Sequence, residues 1–184
     1  YSFAKENNIK VHIDGARIFN ASVETGISLK VYAQYCDSIS FCFSKGLGAP
    51  VGSVLCGEKD FILTAHKWRK ILGGGMRQSG IIAAAALYAL ENNVERLKED
   101  HEKAKYFAEE ISKIDGFNVN LENVQTNIVV FSYSKLSKNE IISLLEKNGV
   151  RISSGSYENL RAVFHLDVTL EEVKNSIEII KKVL

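Results

Sequence analysis

Two short β-branched runs, each ending in a cluster of polar and small residues, constrain the fold of this sequence most strongly. The first run is Val11 to Asp14 and the second is Asp37 to Phe43. A modest apolar helix around Ala33 separates them, which gives the order strand, helix, strand that is typical of α/β domains. Val51 to Cys56 makes a third run. The pattern therefore predicts a buried, mostly parallel sheet.

Helical patterns follow the third run. Glu58 to Ile71 has a basic end, which suits the negative pole of a helix dipole, and the glycines from Gly73 to Gly75 end it. From Ile81 to about Ile114 the pattern is again helical, alanine-rich at first and then charged and amphipathic. We expect a single long helix here that connects two parts of the protein.

Shorter elements follow Gly116 and predict a small α+β domain. We expect a strand at Thr126 to Tyr133 and a helix at Ser137 to Lys147. Two further strands are expected at Arg151 to Ser153 and at Leu160 to His165. A closing helix runs from Thr169 to Leu184, with Thr169 and Glu172 at the spacing of a capping box. We therefore divide the chain into an α/β part at 1–90, a connecting helix at 91–115 and a small C-terminal domain at 116–184.

Charge and cysteine content exclude several classes of function. Lysine plus arginine, 23 residues, nearly balance aspartate plus glutamate, 22 residues, so no long-range field favours nucleic acid or an anionic membrane. No uninterrupted apolar segment reaches the roughly 18 residues of a membrane span. Cys36, Cys42 and Cys56 lack the paired spacing of a zinc site, and we expect reduced, buried thiols in a cytoplasmic protein.

Three clusters carry side chains suited to chemistry: VHIDGAR at 11–17, SKGLGAPVGS at 44–53 and GGGMRQ at 73–78. The first two follow predicted strands, where ligands gather in open α/β sheets. Asp14 comes directly after a hydrophobic strand, where its charge requires a cationic partner. A protonated pyridine nitrogen is such a partner, and N-capping of the helix after Arg17 is the alternative role.

Lys45 follows an apolar strand, and Gly46 and Gly48 leave space beside it. A lysine amine in a partly desolvated pocket is nucleophilic and forms an imine with an aldehyde, whereas a solvated loop lysine is the alternative. The run lacks the order of glycines before a Lys-Ser/Thr pair that a nucleotide-binding phosphate loop requires. Arg77 lies beside glycines whose backbone N–H groups can help to hold an anion, for which phosphate is the natural candidate.

The runs VHIDGARIFNA, CFSKGLGAPVGSVL, WRKILGGGMRQSGIIAAAALYAL and LRAVFHLDVT resemble the low-specificity L-threonine aldolases. These are pyridoxal 5'-phosphate (PLP) enzymes of fold type I, the aspartate aminotransferase fold, and the resemblance covers nearly all of the chain. It implies that 1–90 is the C-terminal part of the PLP-binding large domain. It also implies that Lys45 forms the internal aldimine, that Asp14 pairs with the pyridine nitrogen and that Arg17 lies near the phenolic oxygen.

Two further roles follow from the same resemblance. Arg77, with Lys70 near the same place, reaches a cofactor phosphate across a dimer interface, which implies a homodimer or homotetramer. Arg161 matches the arginine that holds the substrate's α-carboxylate, a task suited to the planar guanidinium. The alternative for Arg161 is an ordinary position on an edge strand. His165 is expected to be structural.

The implied reaction is cleavage of β-hydroxy-α-amino acids, L-threonine or L-allo-threonine, to glycine and acetaldehyde. A β-eliminating lyase of the tyrosine phenol-lyase type is the first alternative, and a serine hydroxymethyltransferase is a more distant one. The sequence begins at Tyr1 without a methionine, and we expect the N-terminal half of the large domain to be missing. In the family that half supplies a phosphate-binding loop and a histidine that stacks on the ring. A catalytically empty fragment is therefore a further alternative.

Overall fold

The computed structural model describes residues 1–184 and divides the chain into two units, Tyr1–Glu95 and Arg96–Leu184. The elements of the first unit are α1 (Ser2–Glu6), β1 (His12–Asp14), α2 (Ile18–Thr25), α3 (Leu29–Ala33), β2 (Ser38–Cys42), β3 (Ser53–Gly57), α4 (Lys59–Ile71) and α5 (Gly80–Asn92). Those of the second unit are α6 (Leu97–Ile111), β4 (Phe117–Val119), β5 (Ile128–Tyr133), α7 (Lys138–Lys147), β6 (Ser153–Ser154), β7 (Leu160–Val163) and α8 (Leu170–Val183). The predicted division of the chain into a part of the PLP-binding domain at 1–90, a connecting helix at 91–115 and a small domain at 116–184 stays a prediction.

The sheet of the first unit has the order β1-β2-β3, and all three strands lie where the sequence predicts them. β1 runs parallel to β2, with a helix-containing crossover between them. β3 runs antiparallel to β2, which departs from the mostly parallel arrangement expected for these strands. The connection at 43–52 contains no helix and is shorter than the dozen or so residues of a parallel crossover, so the chain reverses direction.

Aromatic rings form the core of the first unit. The ring of Phe41 contacts those of Phe19 and Phe43 edge-on, each at a centroid distance of 5.3 Å. Few other large side chains of this unit are buried, and many apolar ones face solvent, among them Leu63, Trp68, Leu72, Ile81 and Tyr88. The first unit therefore has a thin core.

The prediction of a single helix from Ile81 to Ile114 is wrong. The structure has two helices, α5 and α6, separated at 93–96. Asn92 donates its side-chain amide to Tyr88 O at 2.8 Å, a local bond of the kind that competes with helix continuation, and Asn93 is the C-cap. None of the helices in the described chain combines the length and the apolar character needed to cross a membrane.

The second unit combines α6 with the helices and strands that the sequence predicts after Gly116. Its sheet has the order β4-β5-β7-β6 with every pairing antiparallel, and α6 and α7 each contact α8 and strands of the sheet. The core includes Phe107, Val129, Leu145, Leu160 and Ile177, none more than 2% exposed. The strand β4, only three residues long, was absent from the sequence prediction.

Two helices of the second unit begin with capping boxes. At α8 the Thr169 hydroxyl accepts from Glu172 N at 3.2 Å, and Glu172 Oε2 accepts from Thr169 N at 2.7 Å, as the spacing predicts. Ser137 and Glu140 form the same motif at α7. The backbone and hydroxyl donors of Thr169 hold the pKa of Glu172 below its usual range. Each box satisfies backbone donors that the helix itself leaves unpaired.

The three cysteines are free, in agreement with the expected reduced thiols. Cys36 and Cys42 are half-buried, but Cys56 is exposed, so the prediction that all three are buried is wrong. Cys56 lies on β3, an outer strand of its sheet, which leaves one side of the strand without a neighbour. Burial raises the pKa of the Cys36 thiol.

Asp37 fastens the start of β2 to the start of β1. Its backbone N–H donates to Val11 O at 2.8 Å, and its Oδ2 accepts from Val11 N at 2.9 Å. Lys5 and Lys10 donate to Oδ1 at 2.8 and 3.2 Å. The Lys5 ammonium, helped by the Val11 N–H, holds the pKa of Asp37 well below its usual range. The ionised carboxylate is therefore part of the β1–β2 junction.

Removing the hydroxyl of Thr169 should destabilise the second unit. Thr169→Ala is expected to lower the free energy of unfolding by about 1 kcal/mol, because α8 loses an N-cap acceptor. Thr169→Ser keeps that acceptor and is the matched control. Urea unfolding, followed by far-ultraviolet circular dichroism, gives the free energy of unfolding of both variants. An equal decrease of that free energy in Thr169→Ala and Thr169→Ser would contradict a role for the hydroxyl.

The β1–β2 junction should also weaken in acid. A carboxyl whose folded pKa is depressed contributes stability above its unfolded pKa, roughly 4, and loses it as pH falls through the lower folded value. Asp37→Asn should therefore reduce the fall in stability of the first unit below about pH 4. Trp68 fluorescence during urea unfolding provides the measurement. Asp60→Asn, at an exposed carboxylate on α4, is the control and should keep the wild-type slope.

Candidate active site

The parallel pairing of β1 with β2 brings two chemical groups to one edge of the sheet. Asp14 is the last residue of β1 and lies opposite Ser40 of β2. β2 ends two residues later at Cys42, and Lys45 follows in the next loop. Because parallel strands end at the same edge, Asp14 at the end of β1 and Lys45 shortly after β2 both belong to this edge. This is the edge at which the sequence places a ligand.

Gly15 allows the two strands to stay close immediately after Asp14. Its N–H donates to Ser40 O at 2.7 Å, which extends the pairing by one step. A Cβ at this position would lie 2.9 Å from Ser40 O and 3.1 Å from Ile39 Cδ1. Since backbone cannot move aside as a flexible side chain can, a residue with a side chain would push the strands apart. The glycine of the DGAR motif therefore fixes the position of Asp14 relative to β2.

The Asp14 carboxylate is exposed, and its Oδ1 accepts from Ala16 N at 3.2 Å. This bond lies in the turn after β1 and fixes the orientation of the side chain. Asp14 is not the N-cap of α2, because that helix begins at Ile18 with Arg17 in the N-cap position. The alternative helix-capping role is therefore wrong. Asp14 enters neither of the ion pairs of the first unit, both of which involve Asp37.

His12 is a residue that the sequence prediction missed. Its Nδ1 lies 2.9 Å from Ser38 Oγ, and its Nε2 lies 3.4 Å from Ser40 Oγ. Side chains two residues apart on a strand share a face, so His12 and Asp14 point to the same side of β1. Alternation of His12 with Ile13, and of Ser38 with Ile39, is the signal that could have identified this polar face.

Lys45 lies in a loop whose backbone is internally bonded. Phe43 N donates to Gly52 O at 3.0 Å, Ala49 N to Phe43 O at 3.0 Å, and Gly48 N to Lys45 O at 2.9 Å. Gly48 has a φ of +74°, which a residue with a side chain rarely adopts. The loop is therefore a defined turn, and the predicted glycines contribute its shape.

The Lys45 side chain is exposed and enters no ion pair of the first unit. The expectation of a partly desolvated pocket around this amine is wrong for the described chain. The reason lies in the thin core of the first unit, where the sheet has only three strands and the loop Phe43 to Gly52 meets solvent on its outer side. The amine is thus accessible to a carbonyl compound from solution.

The other predicted cofactor residues of the first unit lie at ends of helices. Arg17 is half-buried directly before α2. Arg77 is exposed in the connection between α4 and α5, and Lys70 lies in the last turn of α4. A Cβ on Gly75 would lie 3.0 Å from the Lys70 side chain, so the glycines of this connection make room for a lysine. The cofactor roles of these residues stay predictions.

Arg161 lies on β7, between β5 and β6, so the alternative of an edge-strand arginine is wrong. It lies opposite Val130 on one side and Ser153 on the other. Its strand neighbours Leu160 and Ala162 are buried, so Arg161 points to the sheet face away from the core. The half-buried guanidinium joins no ion pair of the second unit. It is available to a carboxylate.

A buried charge network fixes the loop that follows β7. Asp100 is fully buried and accepts from Arg96 at 3.0 Å and from Lys103 at 2.7 Å. Lys103 also donates to His165 O at 3.1 Å and to Val168 O at 2.7 Å. Burial of these charges is tolerable because each is paired and hydrogen-bonded. His165 contributes its carbonyl here, which agrees with its expected structural role.

The residues present are suitable for PLP. A carboxylate suits the protonated ring nitrogen, and a primary amine suits the aldehyde carbon. In the structure both groups lack an ion-pair partner and follow the ends of adjacent parallel strands. Both groups lie at the edge of the sheet at which open α/β sheets bind ligands, and their cofactor roles stay predictions.

Comparison with known proteins gives the family. The sequence profile of the beta-eliminating lyases matches residues 1–134. Low-specificity L-threonine aldolase 1 of Arabidopsis thaliana is 43% identical over 92% of this chain and 48% of its own length. The low-specificity L-threonine aldolase of Escherichia coli K12 is 44% identical over 94% of this chain and 50% of its own length. The chain thus spans about half the length of these relatives.

A solved structure of a candidate L-allo-threonine aldolase from Listeria monocytogenes superimposes with a TM-score of 0.83 at 23% sequence identity. The superposition covers the whole of this chain and 54% of the Listeria chain. The predicted fold class, part of a fold-type-I large domain followed by a small α+β domain, is confirmed. The chain belongs to the beta-eliminating lyase family.

Proposed function

We propose that this chain is the C-terminal portion of a PLP-dependent aldehyde-lyase that converts L-threonine or L-allo-threonine into glycine and acetaldehyde. The observation that carries the proposal is the pair Asp14 and Lys45, two groups without ion-pair partners at the ends of adjacent parallel strands. The names of relatives 43 to 44% identical to the chain support the same activity.

Each residue of the first unit has a separate task in the proposal. Lys45 holds the cofactor covalently, and Asp14 keeps the ring nitrogen protonated by placing a negative charge beside it. Arg17 would interact with the phenolic oxygen of the cofactor, and Arg77 would bind a phosphate held by a partner subunit, so we propose a homodimer or homotetramer. PLP, when bound, supplies an electron sink for the bond that breaks at the substrate's α-carbon.

Arg161 binds the α-carboxylate of the substrate. Its free guanidinium offers parallel N–H donors that match a carboxylate in a bidentate arrangement. By holding the carboxylate, Arg161 would set the orientation of the substrate. That orientation would determine which bond at the substrate's α-carbon is aligned for cleavage. Arg161 thereby selects cleavage between the α- and β-carbons over the other reactions open to an amino acid.

The alternative activity is β-elimination of the tyrosine phenol-lyase type. The specific observation in its favour is the match of residues 1–134 to the beta-eliminating lyases as a group. The products separate the two activities, because elimination releases a phenol or indole and aldol cleavage releases acetaldehyde. A catalytically empty portion is the other alternative, favoured by the exposure of Lys45 and by coverage of about half of the relatives' length. The three free cysteines are compatible with a cytoplasmic location.

Lys45 should be the preferred site of attachment of PLP. The chain is incubated with PLP, the link is made permanent with borohydride, and peptide mass spectrometry locates it. We expect Lys45→Arg to abolish this labelling, because guanidinium does not form the link while charge is retained. Lys59→Arg, at an exposed lysine of α4, is the matched control and should label as the wild type does. Labelling spread evenly over the lysines of the wild-type chain would refute the assignment.

Aldol cleavage and its dependence on Arg161 are tested together. Acetaldehyde release from L-threonine and from L-allo-threonine is measured with the PLP-loaded protein. Arg161→Lys should lower kcat/KM on the order of a hundredfold, since a bidentate charged contact is replaced by a point contact. Arg151→Lys, at an exposed arginine outside the site, is the control. Phenol or indole release instead would favour the β-eliminating alternative, and equal rates in both variants would remove Arg161 from the site.

A further inference from the structure

The amine of Lys45 is positioned by its backbone alone. The side chain is exposed and has no ion pair, so the backbone is the part of Lys45 that the structure holds by hydrogen bonds. Its location depends on how firmly the loop from Phe43 to Gly52 is held. A residue outside the loop that hydrogen-bonds to it therefore affects how firmly Lys45 is positioned.

Leu47 anchors the loop in the interior of the first unit. It lies two residues after Lys45 and is 2% exposed. The carbonyl of Leu47 accepts a hydrogen bond of 2.7 Å from Asn93 Nδ2, across 46 residues of sequence. Because the turn between Lys45 O and Gly48 N encloses Leu47, a tether on Leu47 restrains the whole turn.

Asn93 is itself held in place. It is the C-cap of α5, and its backbone N–H donates to Ala89 O at 2.9 Å. Ala89 is 1% exposed, so the end of the helix is packed into the unit. The side chain of Asn93 is partly buried and thus reaches the loop from a rigid base. The neighbouring Asn92 differs, because its exposed amide bonds only to Tyr88 O within the same helix.

We propose that Asn93 is a positioning residue that fixes Lys45 for covalent attachment of PLP, through its hydrogen bond to the Leu47 carbonyl. The assignment rests on the proposed function, since it gives Lys45 its role. Asn93 touches neither substrate nor cofactor in this assignment. It acts by restricting the turn, so that the amine spends more of its time at one location beside the strand ends.

The first test measures the restraint without any cofactor. Hydrogen exchange of the Gly48 and Ala49 amides, both bonded within the loop, is followed in the wild type, Asn93→Asp, Asn93→Ala and Asn92→Ala. We expect exchange on the order of tenfold faster in both Asn93 variants, because the partly buried hydrogen bond to Leu47 O is lost. Asn92→Ala should match the wild type. The Ile39 and Phe41 amides of β2, paired with β3 in the same unit, serve as the reference for an intact fold. Unchanged Gly48 and Ala49 exchange in Asn93→Asp and Asn93→Ala would overturn the proposal.

The second test measures the covalent attachment of PLP to Lys45. The rate of borohydride-trapped labelling of Lys45 by PLP should fall on the order of tenfold in Asn93→Asp and Asn93→Ala and stay at the wild-type value in Asn92→Ala. Faster exchange with an unchanged labelling rate would overturn the positioning role. A wild-type chain that takes up no PLP at Lys45 would overturn the proposed function instead, and the exchange comparison would then decide the restraint by itself.

Discussion

The parallel pairing of β1 with β2 is the interaction on which the candidate site depends. Its register sets Asp14 opposite Ser40, and both strands end at the same edge of the sheet. Asp37 secures the pairing at its start and Gly15 extends it at its end. A shift of β1 by one residue would turn His12 and Asp14 together to the opposite face and separate them from the polar side chains of Ser38 and Ser40. The register is thus a condition for the chemistry.

The two units bury their apolar side chains to different extents. The second unit covers one face of a four-stranded sheet with three helices and has a continuous core that includes Phe107, Leu145 and Ile177. The first unit has a three-stranded sheet and leaves side chains such as Trp68 and Ile81 exposed. Hydrophobic burial therefore supports the second unit more strongly. The groups proposed for cofactor chemistry lie in the unit with the weaker core.

Local patterns in the sequence were sufficient for much of the fold. The strands around Ile13 and Phe41 and the capping box at Thr169 follow from residue types and spacing alone, and the structure confirms each of them. Asp14 and Lys45 could be singled out because each is a charged residue at the end of an apolar run, although the structure exposes both side chains. Such signals are contained in a few neighbouring residues.

Interactions between distant residues could not be predicted in the same way. The contact of Asn93 with Leu47 spans 46 positions, and the amide of Asn93 has no feature in the sequence that distinguishes it from Asn92. The break between α5 and α6 was missed because the helical pattern continues through it, although Asn92 and Asn93 mark the end of α5. The exposure of the Lys45 side chain likewise depends on the packing of the whole first unit. The neighbouring Gly46 and Gly48 do not predict whether that side chain is buried or exposed.

Gly15 has a consequence for anyone who would engineer this site. Exposed loop positions such as Ser44 and Pro50 can be randomised in a library, because their side chains face solvent. Randomising Gly15 would instead place the first carbon of every new side chain 2.9 Å from a main-chain oxygen, closer than such atoms approach one another. Almost every clone altered there would be lost to selection for reasons unrelated to catalysis. A screen scored on activity alone would then mistake a spacing requirement for a chemical one.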